Sequence, residues 1–343
     1  MHLRLLSLGF GNVGRAVAVM LAEKADELRE RYDLTVSYTG VYTRSGGLVT
    51  YGDGADPALL IPVDWPVRAD DAPAGIAVDD ALAAIRDVPA DVVLELTTLD
   101  PRSGEPAIAH IRAALEAGRH VVTANKGPIA YAYRELRGLA AERGVALRFE
   151  STVMDGTPIF GMAEASLPAT RIEGFRGLLN STSNYVLSRM ADGESLDEAV
   201  QGAQRLGIAE ADPSNDLEGW DASVKATVLA NVLMGAELRP GDVLREGLGA
   251  EAMGRAQANL LPGQTLKQVV EARRAGDGIT ATVSLVALPP SDLLSHLSGM
   301  EAAIQFHTDT MQDLTIIEGE GGPGQTAFGV VADLVAIARG ARA

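Results

Sequence analysis

Asp221 and Lys225 stand four residues apart in a stretch crowded with ionisable groups, Gly207-Ile208-Ala209-Glu210-Ala211-Asp212-Pro213-Ser214-Asn215-Asp216-Leu217-Glu218-Gly219-Trp220-Asp221-Ala222-Ser223-Val224-Lys225. On a helix this spacing puts both side chains on one face, within reach of each other. A surface ion pair would account for those two residues. It would not account for residues 226–234, which are apolar nearly all round and make Lys225 the opening of a buried element. A lysine buried beside a carboxylate and a substrate oxygen is equipped to act as general acid or base. A second lysine, Lys126, lies in Thr123-Ala124-Asn125-Lys126-Gly127, just past the carboxyl end of a predicted strand. Open α/β sheets bind their ligands at such ends, although an ordinary loop lysine would read the same way.

The third cluster is Gly9-Phe10-Gly11-Asn12-Val13-Gly14, the pattern G-x-G-x-x-G directly after a strand and at the start of a helix. The glycines permit a tight turn and close backbone approach, and the helix N-terminus offers N–H groups to a pyrophosphate. A nicotinamide dinucleotide is the implied cofactor. The end of the second strand reads Tyr42-Thr43-Arg44-Ser45, with no acid there to hold a ribose 2'-hydroxyl. Arg44 suits a 2'-phosphate, which favours NADP over NAD; a solvated surface arginine is the competing reading.

Positioning these groups requires alternating strands and helices. Residues 3–8 read as a short apolar strand, 12–31 as a helix and 34–42 as a second strand, one β-α-β unit. From 45 to 79 the chain is rich in Gly, Pro and Asp and reads as a long irregular excursion over the surface. A helix at 81–86, a strand at 91–96, a helix at 104–118, a strand at 120–123, a helix to 143 and a strand at 145–150 continue the alternation. This predicts an α/β, Rossmann-like dinucleotide-binding domain over 1–150. Sparser strands at 174–179, 280–288, 303–307 and 314–318, interleaved with helices, predict an α+β domain over 151–320 with antiparallel pairing. Residues 321–343 carry a last helix, with Phe328, Val331, Leu334, Val335 and Ala338 on one side, expected to return to the first domain.

Composition removes several classes of function. A net charge of −17 lacks the basic face that a nucleic-acid binder needs. The absence of cysteine removes disulfides, thiolate zinc sites and thiohemiacetal catalysis. His2, His110, His120, His296 and His307 are scattered without metal-ligand spacing. No apolar run approaches the roughly 20 residues of a membrane span, and the N-terminus enters a strand without a signal-peptide pattern, so a cytoplasmic protein is expected. Trp65 and Trp220 read as packing residues.

Over nearly its whole length the chain resembles the homoserine dehydrogenases. The resemblance is carried by the glycine turn, Thr-Ala-Asn-Lys at 123–126, Gly-Leu-Leu-Asn-Ser-Thr-Ser-Asn-Tyr at 177–185, the 210–225 stretch and the Thr326-Ala327 helix. It implies reversible hydride transfer between nicotinamide C4 and the aldehyde carbon of aspartate semialdehyde, a step toward threonine and methionine. Lys225 is then similar to the family's proton donor, and Lys126 to its second lysine between cofactor and substrate. Glu210, Asp221 and, less closely, Asp216 match positions that bind the substrate's amino end, and Thr182 matches a substrate-binding threonine. Thr97, Thr98, Gly207 and Gly322 match cofactor contacts. Glu150, Val153, Asp155 and Thr157 fall on a monovalent cation site, implying sodium. Here the sequence departs from the family, reading Val153-Met154-Asp155-Gly156-Thr157-Pro158 in place of a glycine-rich run. Ser181 replaces a usual glycine and Ile208 a frequent aromatic, changes that could reshape the pocket for another amino aldehyde or hydroxy acid. The alternatives are such a reductase, or a dinucleotide-binding regulator without catalysis; the presence of both lysines weighs against the regulator. The resemblance also implies a homodimer through the second domain, catalytic and dimerising at once, and no appended regulatory domain.

Overall fold

The computed structural model describes residues 1–67, 75–76, 80–276 and 278–340, which divide into two compact units, Met1–Gly161 with Gly322–Ala343 and Met162–Gly321.

The first unit is built on a seven-stranded sheet in the order β4-β3-β2-β1-β5-β6-β7. Strand β1 (His2–Leu8) leads into helices α1 (Asn12–Glu23) and α2 (Ala25–Tyr32), then β2 (Thr35–Thr43), β3 (Gly47–Ala55), the turn of helix α3 (Pro57–Leu60) and β4 (Gly75–Ile76). Helix α4 (Ala81–Asp87), β5 (Val92–Glu95), α5 (Ala107–Glu116), β6 (His120–Thr123), α6 (Lys126–Arg143) and β7 (Leu147–Arg148) follow. Strands β2, β1, β5, β6 and β7 are parallel. Their connections reverse direction between β1 and β5, so a crevice opens beyond the carboxyl ends of those two strands. One apolar layer packs Val17, Ala18, Leu21, Val330 and Leu334 on one face of the sheet, and a second packs Ile85, Ile111, Leu115 and Leu136 on the other. Burial on both faces is why β1 alternates so little, with Leu3, Leu5, Leu6 and Leu8 all at or below 1% exposure.

Two expectations fail here. The helix expected over 12–31 is two helices, and Lys24 both ends α1 and starts α2 with φ −99° and ψ 8°. The stretch expected to be irregular contains β3, antiparallel to β2, and the buried side chains of Leu48, Val49 and Trp65. Glycines and Asp53 in β3 erased its alternation, while pairing with β2 supplied the order that local propensity lacked. The rest of that stretch, 68–74 and 77–79, lies outside the described residues.

Helix α7 (Phe160–Ser166) carries the chain into the second unit. There β8 (Ile172–Leu178) is followed by α8 (Ser181–Ala191), α9 (Leu196–Arg205), α10 (Ser214–Leu217), α11 (Trp220–Leu233), β9 (Leu244–Arg245) and α12 (Ala250–Ala258). Then come β10 (Thr265–Ala275), β11 (Gly278–Leu288), β12 (Ala302–Thr308) and β13 (Gln312–Glu318). The sheet order is β13-β12-β8-β10-β11-β9, antiparallel except for β9 beside β11. Strand β10 escaped the sequence reading because it buries polar residues: Lys267 is 2% exposed. Its ammonium donates to Asn184 Oδ1 at 2.9 Å and to the Leu297 carbonyl, and burial lowers its pKa to about 8 against a weaker upward pull from Glu301. Trp220 is more than packing, since the Arg245 guanidinium carbon lies 3.5 Å from its ring centroid.

Helix α13 (Pro323–Gly340) belongs to the first unit and packs on α1. Phe328 does not join its apolar side; it is 51% exposed, while Ala327, Val330, Leu334 and Ile337 are buried.

Candidate active site

In the first unit, the backbone turns after β1 at Gly9, whose φ is +91°. A Cβ there would lie 2.5 Å from the Leu96 carbonyl oxygen, so only glycine fits. Gly11 is the N-cap of α1 and, like Asn12, is exposed, leaving the first turn of the helix open to an anion. Phe10 turns inward: it is 4% exposed and packs 4.9 Å from Trp65 and 6.1 Å from Tyr38 between ring centroids. It anchors the turn, and any ligand would meet its backbone. Val13 is half-buried and packs on the same core. Arg44 is exposed in the turn joining β2 to β3, where Thr43 Oγ1 accepts from Gly46 N at 3.1 Å.

At the ends of β5 and β6 the structure brings Thr97, Asn125 and Lys126 together. Asn125 caps α6 by accepting from Gly127 N at 3.1 Å, and its Nδ2 donates to the Thr97 carbonyl at 3.3 Å. Lys126 is thereby the first residue of α6, half-buried, and Thr98 is exposed beside Thr97. Gly322 directly precedes α13, its carbonyl accepting from Thr326 N at 3.0 Å.

Glu150 is buried, and three backbone N–H groups converge on it. Ile159 and Phe160 donate to Oε1 at 2.6 and 2.7 Å, and Gly161 donates to Oε2 at 2.6 Å. Burial pushes its carboxyl above the usual range against the pull of those N–H groups and of Arg148. Val153 is fully buried, and Met154 and Asp155 take left-handed backbone with φ 52° and 49°. Asp155 Oδ1 accepts from Thr326 Oγ1 at 3.1 Å, and the Thr157 carbonyl accepts from Ile159 N at 2.8 Å.

In the second unit, Lys225 lies within α11, whose residues Ala222, Val224, Ala226, Val228, Leu229 and Ala230 are all buried. Its Nζ donates to the Leu179 carbonyl at 2.6 Å and lies 3.0 Å from Asp221 Oδ2. Asn180 is the junction. Its Nδ2 donates to Asp216 Oδ1 at 2.7 Å and to Asp221 Oδ2 at 3.0 Å, while its Oδ1 caps α8 by accepting from Ser183 N at 2.7 Å. Thr182 is buried, with Oγ1 3.3 Å from the Ile208 carbonyl. Burial, and then the charge of Asp221, raise the Asp216 carboxyl above its ordinary value, against hydrogen bonds from Asn180 and Thr182 and the charge of Lys225.

The sequence-predicted residues Asp216, Asp221, Lys225 and Thr182 thus meet. Asn180, which the sequence reading did not assign, holds the two aspartates; its signal was an Asn directly after an apolar strand and before Ser-Thr, an N-cap pattern. Glu210 stands apart from this knot, its side chain exposed and its carbonyl accepting from Gln204 Nε2 at 3.2 Å. Gly207 has φ +72° and turns the chain after α9 in left-handed backbone.

A glycine turn at a topological switch point, together with a unit that holds a half-buried lysine against a carboxylate, defines an NAD(P)-dependent oxidoreductase acting on a CH–OH group. Comparison with known proteins gives the family. A family model described as homoserine dehydrogenase matches residues 158–335, and one for the homoserine dehydrogenase NAD binding domain matches residues 9–150. The NAD(+)-dependent homoserine dehydrogenase of Pseudomonas canavaninivorans is 38% identical over 97% of this chain and 96% of its own. The homoserine dehydrogenase of Methanocaldococcus jannaschii is 32% identical over 97% and 98%. Among solved structures, the homoserine dehydrogenase of Thermoplasma acidophilum superposes with a TM-score of 0.83 at 27% identity, covering 99% of this chain and 100% of that one. A hyperthermophilic archaeal homoserine dehydrogenase in complex with NADPH gives 0.82 at 26%, covering 99% and 98%. The chain belongs to the homoserine dehydrogenase family. No helix among the described residues is long and apolar enough to cross a membrane.

Proposed function

We propose that the chain interconverts homoserine and aspartate semialdehyde, with Lys225 as the proton donor and acceptor. The observation that carries this reading is the Lys225 ammonium, held by the Leu179 carbonyl and Asp221 beside the Asn180–Asp216 pair. A dinucleotide held on residues 9–14 would supply hydride for the aldehyde carbon, or take it up from the alcohol carbon. During reduction Lys225 gives a proton to the developing alkoxide, and during oxidation it takes the hydroxyl proton. Asp216 and Asp221 face the substrate ammonium, Thr182 hydrogen-bonds the substrate, and Glu210 closes on the same end from its exposed position. Lys126, Thr97, Thr98 and Gly322 are the residues of the first unit that would hold the cofactor, with residues 9–14 placed to take its pyrophosphate. Oxidation of homoserine at alkaline pH, followed by reduced-nicotinamide absorbance, tests the reading, and no turnover above background would sink it.

The raised Asp216 carboxyl makes substrate binding pH-dependent. A carboxyl raised in the folded state favours its neutral form, so its ionisation withdraws stability as pH rises through the raised value, and an ammonium ligand restores it. Below that value the ammonium loses a charged partner. KM for homoserine is therefore expected to climb as pH falls through the raised value. Asp216→Asn should flatten this dependence and raise KM about ten- to hundredfold, the worth of one charged hydrogen bond. An unchanged KM–pH profile in that variant would refute the assignment.

NADP is favoured over NAD, supported by Arg44 standing exposed at the carboxyl end of β2. NAD is the second reading, favoured by the name of the Pseudomonas canavaninivorans relative. Arg44→Ala is expected to lower kcat/KM for NADP about tenfold while sparing NAD, the loss of a charge-assisted contact to phosphate. Equal losses with both would favour the second reading.

A monovalent cation, sodium, is proposed at Glu150 with the carbonyls of Val153, Asp155 and Thr157. The donors fit an oxygen-seeking ion, since three N–H groups leave part of the Glu150 carboxylate's acceptor capacity and the two left-handed residues redirect the local carbonyls. A homodimer through the second unit is supported by β13, the terminal strand of its sheet, on which Ile317 is 50% exposed. Light scattering should give twice the chain mass; a monomer at micromolar concentration would exclude it.

A further inference from the structure

Glu95, the last residue of β5, is fully buried in the first unit among Val92, Val93, Leu94, Val121 and Val122. A carboxylate in such a layer loses its hydration and needs hydrogen-bond donors. Three groups meet it. The Thr97 hydroxyl donates to Oε1, His110 Nδ1 lies 3.3 Å from the same oxygen, and Thr123 Oγ1 lies 3.4 Å from Oε2. Thr123 directs its proton to the Glu95 carbonyl at 2.9 Å and accepts from Asn125 N at 2.9 Å. The Asn125 side chain returns to the Thr97 carbonyl at 3.3 Å, closing the network.

A threonine hydroxyl has one proton. With that proton committed to Glu95, Thr97 Oγ1 can only accept from anything else. Thr97 is half-buried, whereas Glu95 beneath it is not exposed at all. The sheet order puts β5 next to β1 on the side away from β2. A dinucleotide with its pyrophosphate on the turn after β1 and its adenosine ribose at the end of β2 therefore carries its nicotinamide riboside over the end of β5.

We infer that Glu95, steadied by His110, is a positioning residue that commits the Thr97 hydroxyl to accept from an N–H or O–H donor on the nicotinamide riboside. The inference rests on the dinucleotide site proposed above. Its test reads equilibrium binding alone, so it stands or falls separately from homoserine turnover.

Dissociation constants would be measured for the natural dinucleotide, for its 3-acetylpyridine analogue, which lacks the carboxamide N–H, and for an analogue lacking a nicotinamide-ribose hydroxyl. The proteins would be the native chain and the variants Thr97→Val, Glu95→Met and Glu95→Gln. The native chain should bind one of the two analogues about three- to tenfold more weakly than the natural dinucleotide, the worth of one neutral hydrogen bond. Which analogue suffers identifies the donor as carboxamide or ribose hydroxyl. Thr97→Val and Glu95→Met should lose that discrimination, whereas Glu95→Gln should keep it, since its amide oxygen can still accept from Thr97. Should Glu95→Met fail to fold, Glu95→Ala takes its place, with the same loss of discrimination expected. Uniform weakening of all three ligands, or native discrimination surviving in Thr97→Val or in Glu95→Met, would overturn the inference.

Discussion

Lys225→Ala is expected to lower kcat for homoserine oxidation by about a hundred- to ten-thousandfold, the usual contribution of a positioned general acid or base. Dinucleotide affinity should stay within about twofold, because the glycine turn belongs to the other unit. The fold should survive, since the neighbours that pack α11, Val224, Val228 and Leu229, are untouched and Asp221 keeps its bond from Asn180. Lys225→Arg makes the sharper variant. It keeps the positive charge beside Asp221 but holds its proton at every accessible pH, so it cannot accept one from the alcohol. Oxidation should fail in both variants, while reduction should be less impaired in Lys225→Arg than in Lys225→Ala. Steady-state rates in both directions, with reduced-dinucleotide fluorescence as the binding control, check this. A kcat within tenfold of native in Lys225→Ala would remove Lys225 from the proton-transfer role.

The features legible in the sequence were those that local geometry imposes. Gly9 was visible because a left-handed turn against the Leu96 carbonyl admits no side chain, and Lys225 because the residues that follow it on the helix are apolar nearly all round. Periodicity also found the parallel strands, whose burial on both faces leaves near-continuous apolar runs. What escaped was set by distant contacts. Strand β3 has glycines where a strand would show its pattern, and pairing with β2 decided its structure. Glu95 and Lys267 are charged residues at strand positions, which read as solvent-facing until partners far along the chain, His110 for one and Leu297 for the other, enclose them. Phe10 sits inside the glycine pattern, yet its side chain serves the core through Trp65, a residue in the stretch taken for irregular. Glu210 shows the converse: an acid in the right stretch of sequence lies exposed, because the side chains that gather are those Asn180 reaches from the start of α8.

Glu150→Ala is expected to destabilise the protein by about 3–5 kcal/mol, since truncating one partner of a buried charged network leaves the others without compensation. The N–H groups of Phe160 and Gly161 would lose their acceptor together, while Ile159 N–H would keep only the Thr157 carbonyl. Glu150→Gln separates charge from geometry. Its amide oxygen can still serve Ile159 and Phe160, but its amide nitrogen would then face the Gly161 N–H, donor against donor. An intermediate loss of about 1–3 kcal/mol, the penalty of one unsatisfied buried donor, is expected. Denaturant unfolding monitored by tryptophan fluorescence measures both variants. Performing it in sodium chloride and in an equal concentration of a large organic cation chloride tests the proposed ion as well. A ligand that binds only the folded chain stabilises it by mass action, so the native midpoint should rise with sodium and the Glu150→Ala midpoint should not. A native midpoint indifferent to sodium would leave Glu150 as a clamp on residues 159–161 alone, and a Glu150→Ala protein as stable as native would remove that role too.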